Sequence, residues 1–155
     1  MQNNLSLTSD AYASIKGSSA YPNIQGEVHF YGVHGGTIVT VHITGLPENS
    51  SGNFYGFHIH EGRSCTGNTA DPFKDAGGHY NPEKKPHPYH VGDMPVLMGN
   101  KGMVWCEFYT DRFFPEDIIG RTVIIHDMPD DFRTQPSGDS GAKIACGEIK
   151  ANEHR

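Results

Sequence analysis

The sequence predicts an all-β chain of about eight short strands at the spacing of a β-sandwich. Composition is the first observation behind this. Glycine and proline number 19 and 10 among 155 residues, and only 19% of the residues are charged, a mixture that favours turns between short strands over long helices. The second is strict alternation of apolar and polar residues over residues 24–44, and the third is the recurrence of glycine, proline and aspartate clusters between apolar runs. The length suits one domain, and residues 1–155 are read as a single domain with its core at about 11–150.

Taken in order, a first strand is expected over residues 11–16. Val28 and Phe30 then alternate with Glu27, His29 and Tyr31, and Val39, Val41 and Ile43 with Thr40, His42 and Thr44, which gives two half-buried antiparallel strands. His34-Gly35-Gly36 between them supplies a hairpin turn. Residues 54–60 form the next strand, with Tyr55, Phe57 and Ile59 on one face and His58 and His60 on the other. Residues 61–95 show no sustained period, and so long a stretch without secondary structure in a compact domain is either functional or disordered, with metal binding able to order it. Residues 96–98 and 103–110 are expected to pair as a hairpin, with Val104, Cys106 and Phe108 facing inward. The last strands are expected over 121–126 and 143–149, separated by a proline-, glycine- and aspartate-rich loop, and residues 115–119 read as a helical turn.

Ten histidines are the compositional anomaly, and six of them sit where ligands are needed. Residues i and i+2 of a strand project to one side roughly 7 Å apart, so His58 and His60 can flank a single ion from one rigid element. The long loop supplies His79, His87, His90 and Asp93, the ligand number and types of a closed tetrahedral zinc site. His126 adds an imidazole at the end of a distant strand. If His79 uses a ring nitrogen on each side, then His58, His60, His79 and His126 form an all-imidazole set suited to copper. Taken singly, His87 and His90 read as residues of a solvated loop; six histidines and an aspartate that complete two sites do not.

The ordered motifs Gly56-Phe57-His58-Ile59-His60-Glu61, Gly77-Gly78-His79-Tyr80-Asn81-Pro82, His90-Val91-Gly92-Asp93, Gly120-Arg121-Thr122-Val123-Ile124-Ile125-His126 and Ala145-Cys146-Gly147 resemble the copper,zinc superoxide dismutase family, in a bacterial-type form with shortened loops. The likeness spans about residues 26–149. It implies an eight-stranded Greek-key β-sandwich, or flattened barrel, with long metal-binding and electrostatic loops. It implies copper on His58, His60, His79 and His126, zinc on His79, His87, His90 and Asp93, and a disulfide between Cys65 and Cys146, with Cys106 left as a free thiol. Asp130 matches the carboxylate that orients a copper and a zinc histidine together. The implied activity is dismutation of superoxide, with His79 coupling electron and proton delivery.

Three departures accompany the resemblance. Lys143 stands where the family places an anion-guiding arginine, and a lysine keeps the charge while losing the planar fork. His87 and His90 are closer in sequence than in the familiar eukaryotic members, and the loop over residues 127–142 is shorter with fewer charges. Arg63 and Arg133 are candidates to compensate. Retained activity below the family standard is expected, and a copper-binding or copper-buffering β-sandwich without turnover is the alternative from another class.

A formal charge of −6 argues against nucleic acid or anionic membrane as partners. No stretch approaches membrane-spanning length, and residues 1–10 carry neither a basic leader nor an apolar run. A cytoplasmic location is therefore expected, with a secreted or periplasmic form as the alternative. Trp105, Tyr109 and Phe113 are candidates for a homodimer surface.

Overall fold

The structure, a computed structural model, describes residues 8–153. Most of the segment read as lacking a leader, residues 1–7, and the last two residues lie outside the described residues. Nine strands follow in order: β1 Ala11–Gly17, β2 Gln25–Val33, β3 Gly36–Thr44, β4 Phe54–Tyr55, β5 Phe57–His60, β6 Leu97–Met98, β7 Val104–Thr110, β8 Thr122–His126 and β9 Lys143–Ala151. The single α-helical turn among the described residues, α1, is Pro115–Ile118, as its sequence predicts.

Seven strands form one antiparallel sheet in the order β5-β8-β9-β1-β2-β3-β7, with β7 and β5 at its edges. The non-sequential neighbours β9–β1, β3–β7 and β5–β8 are Greek-key connections. The expected strand over 54–60 is broken at Gly56, whose N–H donates to the carbonyl of Met128 (2.8 Å) and whose carbonyl accepts from the N–H of His126 (2.9 Å). Counting β4 and β5 as that one interrupted strand leaves the eight segments the alternation predicts.

The expected hairpin of residues 96–98 with 103–110 does not form as a ladder. Only the bridge between Asn100 and Met103 remains, and β6 pairs with β4 instead, Leu97 opposite Tyr55 and Met98 opposite Phe54. This places buried Leu97 beside buried Tyr55 and leaves Met98 and Met103 exposed, while β7 takes β3 as its partner along its length.

Val28, Phe30, Val39, Val41 and Ile43 line the inner face of β2 and β3 and meet Phe57, Ile59, Val123 and Ile125 in one core. The outer face of β2 and β3 is left to solvent or half-buried, the alternation of a sheet covered on one side. By contrast, β5 and β8 are buried at every position. Their outer face is roofed by the long loop, where Phe73 and Ala76 pack on Ile124 and Cys146 beside Cys65 in a second, smaller apolar cluster. The Cys65–Cys146 disulfide ties this roof to β9. Phe113, read as exposed, is 2% exposed: its ring meets Phe30 edge-on, and its carbonyl accepts a hydrogen bond from the Thr37 hydroxyl. Among the described residues, no helix is long and apolar enough to cross a membrane.

Candidate metal centre

Edge strand β5 is the platform of the site. Along the edge away from β8 its backbone bonds to the loop twice: the Ile59 N–H donates to the carbonyl of Gly92 (2.8 Å), and the Ile59 carbonyl accepts from the N–H of Tyr80 (2.8 Å). These bonds set His79 beside His60 and Asp93 beside His58. The approach is close enough that a Cβ at Gly92 would lie 2.2 Å from the Ile59 carbonyl oxygen, so only glycine fits. His126 arrives from β8, the strand paired with β5.

All seven predicted ligands are buried and converge as two groups, His58, His60, His79 and His126, and His79, His87, His90 and Asp93. Within each group one ligand atom per residue lies within 4.8 Å of every other, and His79 is the shared member.

Hydrogen bonds assign the ring nitrogens. His58 donates from Nε2 to Asp130 Oδ2 (2.7 Å), and His87 donates from Nε2 to Asp130 Oδ1 (2.8 Å). His60 donates from Nδ1 to the carbonyl of Gly77 (2.7 Å), and His126 from Nδ1 to the carbonyl of Gly141 (3.3 Å). The opposite nitrogens therefore carry lone pairs. His58 Nδ1, His79 Nε2 and His87 Nδ1 are buried without a hydrogen-bond partner, and His60 Nε2 faces His126 Nε2 at 3.4 Å. Two facing lone pairs and three unpaired buried nitrogens are costly in a protein interior, and a cation in each group turns them into bonds. On the second side, His79 Nδ1 lies 2.8 Å from Asp93 Oδ1 and 3.2 Å from His90 Nδ1, and His87 Nδ1 lies 3.1 Å from Asp93 Oδ2.

The electrostatics keep the ligands in the form a metal needs. Burial pushes His58 down to about 4 against the pull of Asp130, and burial takes His126 to about 3 with the His58 charge acting in the same sense. Burial, then the charges of His126 and His79, holds His60 well below its ordinary value, and burial lowers His90 despite Asp93. For Asp93 and Asp130, burial acts to raise the carboxyl, but hydrogen bonds from His79 to the former and from His58 and His87 to the latter outweigh it. Near neutrality His58, His60, His90 and His126 are thus neutral, and Asp93 and Asp130 are ionised. Burial also pushes the free Cys106 thiol up, consistent with a packing role.

Several supporting residues were invisible in the sequence. Gln135 clasps the backbone of His87, accepting from its N–H at Oε1 (2.9 Å) and donating from Nε2 to its carbonyl (2.7 Å). Arg112 donates from Nη1 to the carbonyls of Pro88 (2.6 Å) and His90 (3.0 Å) and so pins the short His87–His90 turn. Gly138 has φ +79°, and a Cβ there would lie 1.9 Å from Asp130 Oδ1, so its bareness permits the Asp130–His87 bond. The Gln135 and Arg112 contacts join residues 22 to 48 apart in sequence, and no local pattern announces them. Of the candidate compensating cations, Arg63 lies against Gly120, at the end of β8 remote from His126, and Arg133 interacts with Asp131. Lys143 faces His126 across β8 and β9.

Residues 24–149 match the family model described as copper/zinc superoxide dismutase (SODC). Among curated relatives, superoxide dismutase (Cu-Zn) 2 of Aquifex aeolicus is 33% identical over 157 residues, covering 88% of this chain and 87% of the relative. The superoxide dismutase (Cu-Zn) of Legionella pneumophila is 32% identical, covering 94% and 90%. Among solved structures, the Cu/Zn superoxide dismutase from Brucella abortus superposes with a TM-score of 0.76 at 28% identity, covering 90% of this chain and 99% of that one.

Proposed function

The chain belongs to the copper/zinc superoxide dismutase family, and on that premise we propose that His58, His60, His79 and His126 hold copper while His79, His87, His90 and Asp93 hold zinc. The activity is dismutation, in which two superoxide anions and two protons become dioxygen and hydrogen peroxide. The shared position of His79 carries the residue assignment, because one imidazole belongs both to an all-imidazole group and to a three-nitrogen, one-carboxylate group. Copper when bound supplies a one-electron couple that takes an electron from one superoxide and returns it to the next, while zinc undergoes no redox change.

The protein's own contribution is orientation and protons. Asp130 accepts from His58 and His87 together, so one carboxylate fixes a ring in each group. His79 holds a proton at Nε2 in half of the cycle and gives it to the superoxide that becomes peroxide; solvent supplies the second. Lys143 receives the arriving anion. Stopped-flow decay of superoxide with the copper- and zinc-loaded protein tests this reading: catalysed decay is expected, and decay at the uncatalysed rate would put the copper-buffering alternative in its place.

Two further outcomes follow from the same contacts. Asp130→Asn is expected to weaken zinc retention about 10- to 100-fold, the usual cost of losing such an orienting partner, read by competition with a chelator. Unaltered retention would remove Asp130 from the scheme. In the metal-free protein, unfolded histidines take protons near pH 6.5, while the folded His58 stays neutral down to about 4. The unfolded state then binds more protons between those values, so stability is expected to fall as the pH drops from about 6.5 to about 4. The lowered Asp93 and Asp130 keep their contribution throughout that window and lose it only at lower pH. Thermal unfolding of the metal-free protein across this range checks the sign, and a melting temperature that rises on acidification would contradict it.

We take residues 1–155 as one domain within this reading. The Cys65–Cys146 disulfide supports an oxidising compartment, the secreted or periplasmic location, over the cytoplasmic one, and cell fractionation decides between them. With Phe113 buried, Trp105 and Tyr109, 67% and 53% exposed, remain to form a homodimer surface, which sedimentation of the wild type and Trp105→Lys tests.

A further inference from the structure

Strand pairing shifts register between Ile125 and His126: Ile125 opposes Ala145, but His126 opposes Lys143, so Ile144 is an inserted residue. Such a bulge re-aims the side chain beside it, and directly opposed residues of an antiparallel pair project to the same face. Lys143 is thereby turned to the side of His126. Its ammonium is already engaged there, since Nζ donates to Asp71 Oδ2 at 3.0 Å and lies 3.5 Å from the carbonyl of Phe73, with the lysine side chain 18% exposed.

Asp71 is held rigidly for this contact. Its other carboxylate oxygen accepts from the Phe73 N–H (3.2 Å), its N–H donates to Asn68 Oδ1 (2.8 Å), and its carbonyl accepts from the N–H groups of Asn68 and Lys74. Phe73, two residues on, is anchored in the apolar cluster with Ile124 and Cys146, and the disulfide fixes Cys65 to the same strand. The roof segment thus delivers a carboxylate to the cation that strand pairing sets opposite His126.

We propose that Asp71 is a positioning residue that competes with the substrate anion for Lys143, so that superoxide must displace a built-in carboxylate to dock, and capture is set by this pair. The inference rests on the reading of Lys143 as the anion-docking group. In a protein of net charge −6, a neutralised Lys143 leaves little local positive field to draw in an anion, whereas a released one restores it. The pair is partly exposed, so its competition is screened, and removal of the carboxylate is expected to strengthen anion capture roughly threefold.

The test uses the copper(II)- and zinc-loaded wild type, Asp71→Asn, Asp71→Glu, Lys143→Met and the double variant Asp71→Asn/Lys143→Met, all matched for metal content. Azide, a small monoanion, is titrated by its absorption on binding, and stopped-flow dismutation is measured against ionic strength. Asp71→Asn is expected to bind azide roughly threefold tighter, and its rate is expected to fall more steeply with salt. Asp71→Glu should return both to wild type, Lys143→Met should weaken azide, and Asp71→Asn should add nothing in that background. If Lys143→Met weakens azide but Asp71→Asn does not strengthen it, the Asp71 inference fails and the Lys143 reading stands. A gain from Asp71→Asn that persists undiminished beside Lys143→Met overturns the pairing. If Lys143→Met changes neither readout, the docking role itself is wrong and this inference falls with it.

Discussion

Exchange of His79 for glutamine is expected to lower superoxide removal about a hundred- to ten-thousandfold, the range over which a positioned proton donor acts, and to release zinc. Both effects trace to one ring. Its Nε2 is buried without a hydrogen-bond partner among the imidazoles, and its Nδ1 lies 2.8 Å from Asp93 on the other side. Glutamine can offer one atom to one side but cannot present two opposed nitrogens, so the copper group drops to three imidazoles and the zinc group loses a quarter of its ligands. The loss of zinc should exceed the roughly 10- to 100-fold cost of removing an outer partner such as Asp130. Stopped-flow rates with elemental analysis of the same preparation check both halves, and a variant with near-normal rate and full zinc would contradict the shared role.

Replacement of both Cys65 and Cys146 by alanine is expected to destabilise the protein by about 4 to 5 kcal/mol, since the bridge closes a loop across a separation of 81 residues and removes that much chain entropy from the unfolded state. The bridge also joins the roof segment to β9, the strand that carries Lys143, and sits in the small cluster of Phe73, Ala76 and Ile124. Its loss should therefore loosen the roof over β5 and β8 as well as lower global stability. Urea unfolding of the metal-loaded variant reads the change as a lower midpoint. A midpoint equal to that of the wild type would show that packing of Phe73 alone secures the roof.

The parts of this fold that rest on short-range pattern were legible in the sequence. Alternation in β2 and β3 and the His-x-His of β5 follow from the strand period of two, and the seven proposed ligands, picked out by residue type and motif order, lie together in two buried groups. Choices of partner between distant segments were not legible. Residues 97–98 lie five residues before β7, and the turn between them reads as a hairpin, yet β6 pairs with β4, Leu97 opposite Tyr55, while β7 pairs with β3. Phe113 follows an exposed turn, and only the return of the chain over Phe30 buries it. Asp71 and Gln135 act on residues 72 and 48 positions away, and Gly138 makes room for Asp130 and for His87, 51 positions away, through contacts that carry no periodic trace.

The central claim is that one imidazole lies between two ions. A crystal structure of the copper(II)- and zinc-loaded protein, with anomalous scattering collected at both absorption edges, measures this directly. The account predicts a copper peak at His79 Nε2 with His58, His60 and His126 around it, and a zinc peak at His79 Nδ1 with His87, His90 and Asp93. A single peak, or a His79 ring bonded to one ion alone in the oxidised protein, would contradict it.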